Sequence, residues 1–131
     1  MTPPAGRRSW PLRMDEASWD ELRAVQRAAR ERHELPGPAA VRLIAERGYT
    51  LFQWIEREWG SLEFLWCCPG CGHCYVGTMG EKPVSGWNEP RWVNGGTREK
   101  PTLTPSLGCY DWREGRCFGH FWLRDGVLVI A

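Results

Sequence analysis

An excess of positive charge is missing from this sequence: 17 basic residues stand against 16 acidic ones, a formal net charge of +1. A protein that grips polyanions by bulk electrostatics carries a clear surplus of Lys and Arg, so composition gives no support to a general phosphate-binding field and leaves only a local patch open. Lysine itself is scarce, present only at Lys82 and Lys100. The basic side chains are therefore almost all guanidinium groups, suited to planar stacking and bidentate pairing. Histidine is limited to His33, His73 and His120, which leaves little for general acid-base chemistry. Long apolar runs are absent as well. No stretch approaches the ~20 residues of a membrane span, and the basic pair Arg7-Arg8 has no apolar run behind it, so no secretory signal is read there. The expectation is a cytoplasmic protein without membrane contact. In that compartment thiols stay reduced, and six cysteines read as metal ligands or buried apolar groups, not as a disulfide framework.

What is abundant is tryptophan, nine in 131 residues, a side chain that buries much area and can extend the thin core of a small domain. The chain is long enough for one globular unit. Residues 1–14, with Pro3, Pro4, Gly6 and Pro11, read as a flexible lead-in. Residues 15–48 read as two helices. Asp15 or Ser18 caps the first, with Ser18-Trp19-Asp20-Glu21 in capping-box form. Trp19, Leu22, Val25 and Ala29 share its apolar face, and Arg23, Arg27 and Arg30 form a basic row, read first as solvated and second as a partner surface. The second helix opens at Gly37-Pro38 and stops at Gly48. A helix-turn-helix reading is disfavoured, since no base-reading helix follows. From Tyr49 the period changes to that of strands: 49–58 and 61–67 about a turn at Trp59-Gly60, and a C-terminal hairpin about Asp125-Gly126. Residues 78–91 read as a surface loop.

The densest chemical signal is Cys68-Pro69-Gly70-Cys71-Gly72. Two thiolates three positions apart, with Pro and Gly shaping the turn, can face one tetrahedral ion. Cys117-Phe118-Gly119-His120 repeats the two-residue gap, and together they make a Cys68, Cys71, Cys117, His120 set for one structural zinc ion, closed to a catalytic water. Cys67, Cys74, Cys109 and His73 are alternatives for any of these positions. Cys67 lies one residue upstream on a strand, where its side chain should face away. The fold class that follows is α+β: an N-terminal helical pair and, over residues 49–131, a small antiparallel β domain with zinc-ribbon-like knuckles, stapled by the metal.

These motifs, with Trp92-Val93-Asn94-Gly95, Lys100-Pro101-Thr102-Leu103-Thr104-Pro105-Ser106-Leu107 and the run from Phe121 to Gly126, resemble a family of small phage and prophage proteins over about residues 62–131. The resemblance implies a compact zinc-bearing β domain and brings no activity. The function expected is a non-catalytic binding module, a phage accessory protein acting on a host protein through Trp87, Trp92, Trp112 or the arginine row. Nucleic-acid binding by aromatic stacking and arginines is the second reading. A zinc-dependent hydrolase is the third, because only His33 and His73 remain once His120 is assigned to metal.

Overall fold

The computed structural model describes residues 6–81 and 91–131; Trp87, one of the candidate anchors, lies outside them. Eight strands close into one barrel in sequence order. They are β1 (Ser9–Arg13), β2 (Thr50–Glu56), β3 (Leu62–Cys67), β4 (Cys74–Met79), β5 (Arg91–Asn94), β6 (Leu103–Gly108), β7 (His120–Arg124) and β8 (Val127–Ile130). Between β1 and β2 run helices α1 (Glu16–Glu31) and α2 (Pro36–Arg47), and a single turn, α3 (Tyr110–Arg113), follows β6. Among the described residues no helix is long and apolar enough to cross a membrane.

The helices form where caps and apolar spacing coincide. Asp15 is the N-cap of α1: its carboxylate accepts from the Ser18 backbone N–H at 3.0 Å and from the Ser18 hydroxyl, satisfying donors that a helix start leaves free. Trp19, Leu22 and Ala29 are buried, and the Trp19 indole donates to the Phe52 carbonyl at 3.1 Å, fixing α1 to β2. Helix α2 starts at Pro36 and stops where Gly48 takes φ +76°. Arg47 grips Glu21 with two contacts of 2.8 Å, which ties the two helices together on their exposed side.

The barrel overturns the expected α+β class with a small zinc-ribbon-like domain. Strands β2, β3 and β4 pair antiparallel, but β1 runs parallel to β2 and antiparallel to β8, and β4 runs parallel to β5. Pairings of this sort join segments far apart along the chain, and local periodicity carries no trace of them. The segment read as lead-in holds β1, whose Trp10 is 1% exposed and lies against Phe118 and Phe121. Pro11 is tolerated there because Leu12 N donates to the Gly126 carbonyl and Ile130 N to the Arg8 carbonyl, so in the alternating ladder the N–H that proline lacks falls on the side away from β8. The interior is aromatic: Phe52 stacks on Phe64 at 5.6 Å, and Trp66 meets Phe121 edge-on. The C-terminal hairpin closes through Asp125 (φ +48°) and Gly126 (φ +75°), the left-handed pair that a two-residue turn requires.

Candidate active site and metal centre

Four cysteines converge at one end of the barrel. The Sγ atoms of Cys68, Cys71, Cys109 and Cys117 lie within 4.8 Å of one another, and Cys68 and Cys117 are 3.9 Å apart. Sulfurs at the corners of a zinc tetrahedron with 2.3 Å bonds are separated by about 3.8 Å, so the cluster could hold a metal ion of that kind. Cys68 and Cys71 sit on a tight turn at the end of β3: Gly72 N donates to the Cys68 carbonyl at 2.8 Å, and Gly70 N points at Cys68 Sγ at 3.4 Å. Cys109 follows β6 and caps α3, its sulfur accepting from Trp112 N at 3.2 Å. Cys117 comes from the segment that enters β7. Gly119 must be glycine, because a Cβ there would stand 2.5 Å from Cys68 Sγ and 2.7 Å from Cys109 Sγ. Thiols so crowded bias one another: hydrogen bonds with Cys109 and Cys68 pull the Cys71 thiol far below its ordinary range, while those with Cys109, Cys117 and Cys71 push Cys68 far above it.

The structure brings Cys68, Cys71 and Cys117 together as the sequence suggested, with Cys109 beside them. It places His120 elsewhere. On β7 His120 lies opposite Gly108, and its Nε2 meets Ser106 Oγ at 2.8 Å. The register between β6 and β7 shifts between Leu103 and Leu107, an irregularity of the kind that re-aims a side chain. Leu107 and Phe121 are buried inside the barrel, so by strand alternation Ser106 and His120 stand on its outer surface. Trp112 stacks on the imidazole at 4.1 Å with the rings 25° apart. Gly108 leaves room for that indole, since a Cβ would meet it at 2.8 Å. Burial pushes His120 below the ordinary histidine pKa, leaving it neutral near pH 7 with one ring nitrogen facing the hydroxyl. A neutral imidazole against a serine hydroxyl is a base-activated nucleophile.

The remaining candidates are dispersed. Trp92 packs edge-on against Phe64 at 5.3 Å and donates to the Ser106 carbonyl at 3.4 Å, so it belongs to this site. Arg23 pairs with Asp20 and lies over Trp19, and Arg27 and Arg30 are exposed on α1. His73 reaches Asp111 at 3.9 Å and, with Cys71, forms a second, more open donor group. Cys67 points back to the Gly72 carbonyl at 3.5 Å. Sequence reasoning missed Ser106 because assigning His120 to metal left the serine without a base. It kept Cys109 only as an alternative, because the repeated two-residue gap pointed to the other pair. The visible signal was symmetry in spacing: Ser106 stands three residues before Cys109, and His120 three after Cys117.

No curated protein and no solved structure matches the chain. Residues 44–131, which carry every strand but β1, are matched by the family model described as bacterial ubiquitination-like system serine protease (BubE), and the chain belongs to that family.

Proposed function

We infer that this protein is a serine hydrolase acting on a protein substrate, with Ser106 as nucleophile and His120 as general base. The observation that carries the reading is the 2.8 Å contact between Ser106 Oγ and His120 Nε2, supported by the family's description as a serine protease. It displaces the non-catalytic module acting on a host protein.

The steps follow from those two groups. As Ser106 Oγ bonds to the carbonyl carbon of the scissile amide, its proton passes to His120 Nε2. Collapse of the tetrahedral species breaks the C–N bond, and the amine leaves with the proton from His120. Water, deprotonated by the same nitrogen, then hydrolyses the acyl-serine and restores the hydroxyl. Among the described residues no carboxylate hydrogen-bonds His120. Its ring is held instead by the stacked Trp112, an aromatic face that also favours the imidazolium formed in each step.

The metal has a mechanical part. Cys68, Cys71, Cys109 and Cys117 would hold one zinc ion in a closed tetrahedron with no coordination position for a reacting water. Cys109 completes the set, and His120 is free for chemistry. The ligands flank the reacting residues, and Cys109 N donates to the Gly119 carbonyl at 2.9 Å, so closing the centre would pin the end of β6 to the start of β7.

A fluorophosphonate probe tests the reading. It should label the wild-type protein at Ser106 and fail on Ser106→Ala and His120→Ala variants. A wild-type protein, metal-loaded and folded, that takes up no label would overturn it.

A further inference from the structure

Six cysteines lie in the chain, and the four-sulfur cluster uses Cys68, Cys71, Cys109 and Cys117. Cys67 and Cys74 are left over, and the sheet sets them face to face: they are Cα partners in the antiparallel pairing of β3 with β4.

The ladder fixes which kind of partners they are. Cys68 N donates to the His73 carbonyl, and those two residues hold the next position of the same register. Hydrogen-bonded and non-hydrogen-bonded pairs alternate along an antiparallel ladder, so Cys68 and His73 form a hydrogen-bonded pair and Cys67 and Cys74 a non-hydrogen-bonded one. Across pairs of that second kind the Cα atoms stand about 4.5 Å apart, with the side chains close together on one face, inside the ~4.4–6.8 Å that a disulfide spans. Phe64 and Trp66 of β3 turn into the aromatic interior, so by alternation both sulfurs stand on the outer wall of the barrel. Cys67 is fully buried there and Cys74 half-buried, and each thiol acts directly on the other. A single buried cysteine serves as a small apolar group; two on facing non-hydrogen-bonded positions can join by side-chain rotation.

We propose that Cys67 and Cys74 are the site of a reversible disulfide, closed by a hydroperoxide, that clasps the turn carrying Cys68 and Cys71. Cys74 Sγ, the more accessible sulfur, bonds to one oxygen of hydrogen peroxide as the O–O bond breaks, and the other oxygen leaves as water with the Cys74 thiol proton. Cys67 Sγ then displaces the hydroxyl of the resulting sulfenic acid. The S–S bond forms, and the second oxygen leaves as water with the Cys67 thiol proton. Two electrons pass from the sulfurs to the peroxide, and a small dithiol restores both thiols by exchange. The closed ring runs from Cys67 to Cys74 and contains both cluster members of the first turn. A cross-link removes open conformations of the segment it spans, so the oxidised hairpin opens less readily and releases its metal more slowly. That clasping role rests on the four-cysteine metal reading, whereas the disulfide itself does not.

In the test, zinc-loaded protein is treated with one equivalent of hydrogen peroxide, denatured in N-ethylmaleimide and digested, and the label is located by fragment mass spectrometry. Cys68, Cys71, Cys109 and Cys117 should carry the label and Cys67 and Cys74 should not, with zinc content unchanged by elemental analysis and label on all six after dithiothreitol. Zinc release to a chromogenic chelator should be at least threefold slower in the oxidised protein than in the reduced one. Peroxide should bring no such slowing in Cys74→Ser or in Cys67→Ala, two variants that each lack one partner. Label on Cys67 and Cys74 after peroxide, or a disulfide between two members of the four-cysteine cluster in their place, overturns the site. Equal release from oxidised and reduced protein overturns the clasp. If the protein holds no zinc, the metal reading fails instead, and the disulfide is judged by the label alone.

Discussion

At the residue scale two assignments compete for His120, as metal ligand and as base, and they separate cleanly. His120→Ala should retain stoichiometric zinc by elemental analysis yet lose turnover by on the order of 10³-fold or more, as removal of a general base does in serine hydrolases. Cys109→Ser should do the reverse first, losing metal and lowering the melting temperature. The pH dependence has a definite sign. Burial depresses the His120 pKa, so the base is already neutral above pH ~6.5, and kcat/KM should be flat through neutrality and fall on acidification with a midpoint below that value. The same shift makes the neutral ring a stabilising group above the unfolded pKa and removes that contribution as pH falls through the folded one. A profile with its acidic limb above pH 7 would speak against His120 as the base. The convergence of Cys68 and Cys71 on the first turn was legible because Pro69 and Gly70 shape a local motif. Ser106 was not, since a serine in a proline-flanked strand has no local mark of activation; its partner comes from another strand.

At the element scale, α3 is a four-residue turn whose value lies in its attachments. Cys109 caps it and Trp112 leaves it to cover the imidazole, so the cysteine cluster and the His120 ring share one small scaffold. Trp112→Ala should therefore reduce kcat by about tenfold, the order of one aromatic contact to a cation, with KM changed less than twofold, and Trp112→Phe should recover much of it. Equal losses in kcat for both variants would mean that the indole serves only to pack. Nothing in the Cys109-to-Cys117 stretch announced this helix, because four residues are too few for periodicity to register. The longer helices and the final hairpin were readable from caps, a glycine stop and a two-residue turn.

At the scale of the whole molecule, the barrel is closed by its least conspicuous stave. Trp10 is sealed between Phe118 and Phe121, and truncating it to alanine should cost about 3–5 kcal/mol, the usual range for an aromatic core residue, measurable by urea denaturation. Removing residues 1–14 should go further and abolish the cooperative thermal transition, since β2 and β8 would lose their shared neighbour and the aromatic interior its lid. Proline-rich composition disguised this strand, and a parallel partner some forty residues away gave no local pattern to read. Its position bears on how the unit should be delimited. The stretch by which kinship is recognised starts well inside the second helix, whereas the smallest piece able to fold must reach back to Ser9; anyone trimming a relative to the shared region would produce a sheet with two raw edges, prone to self-association in place of catalysis.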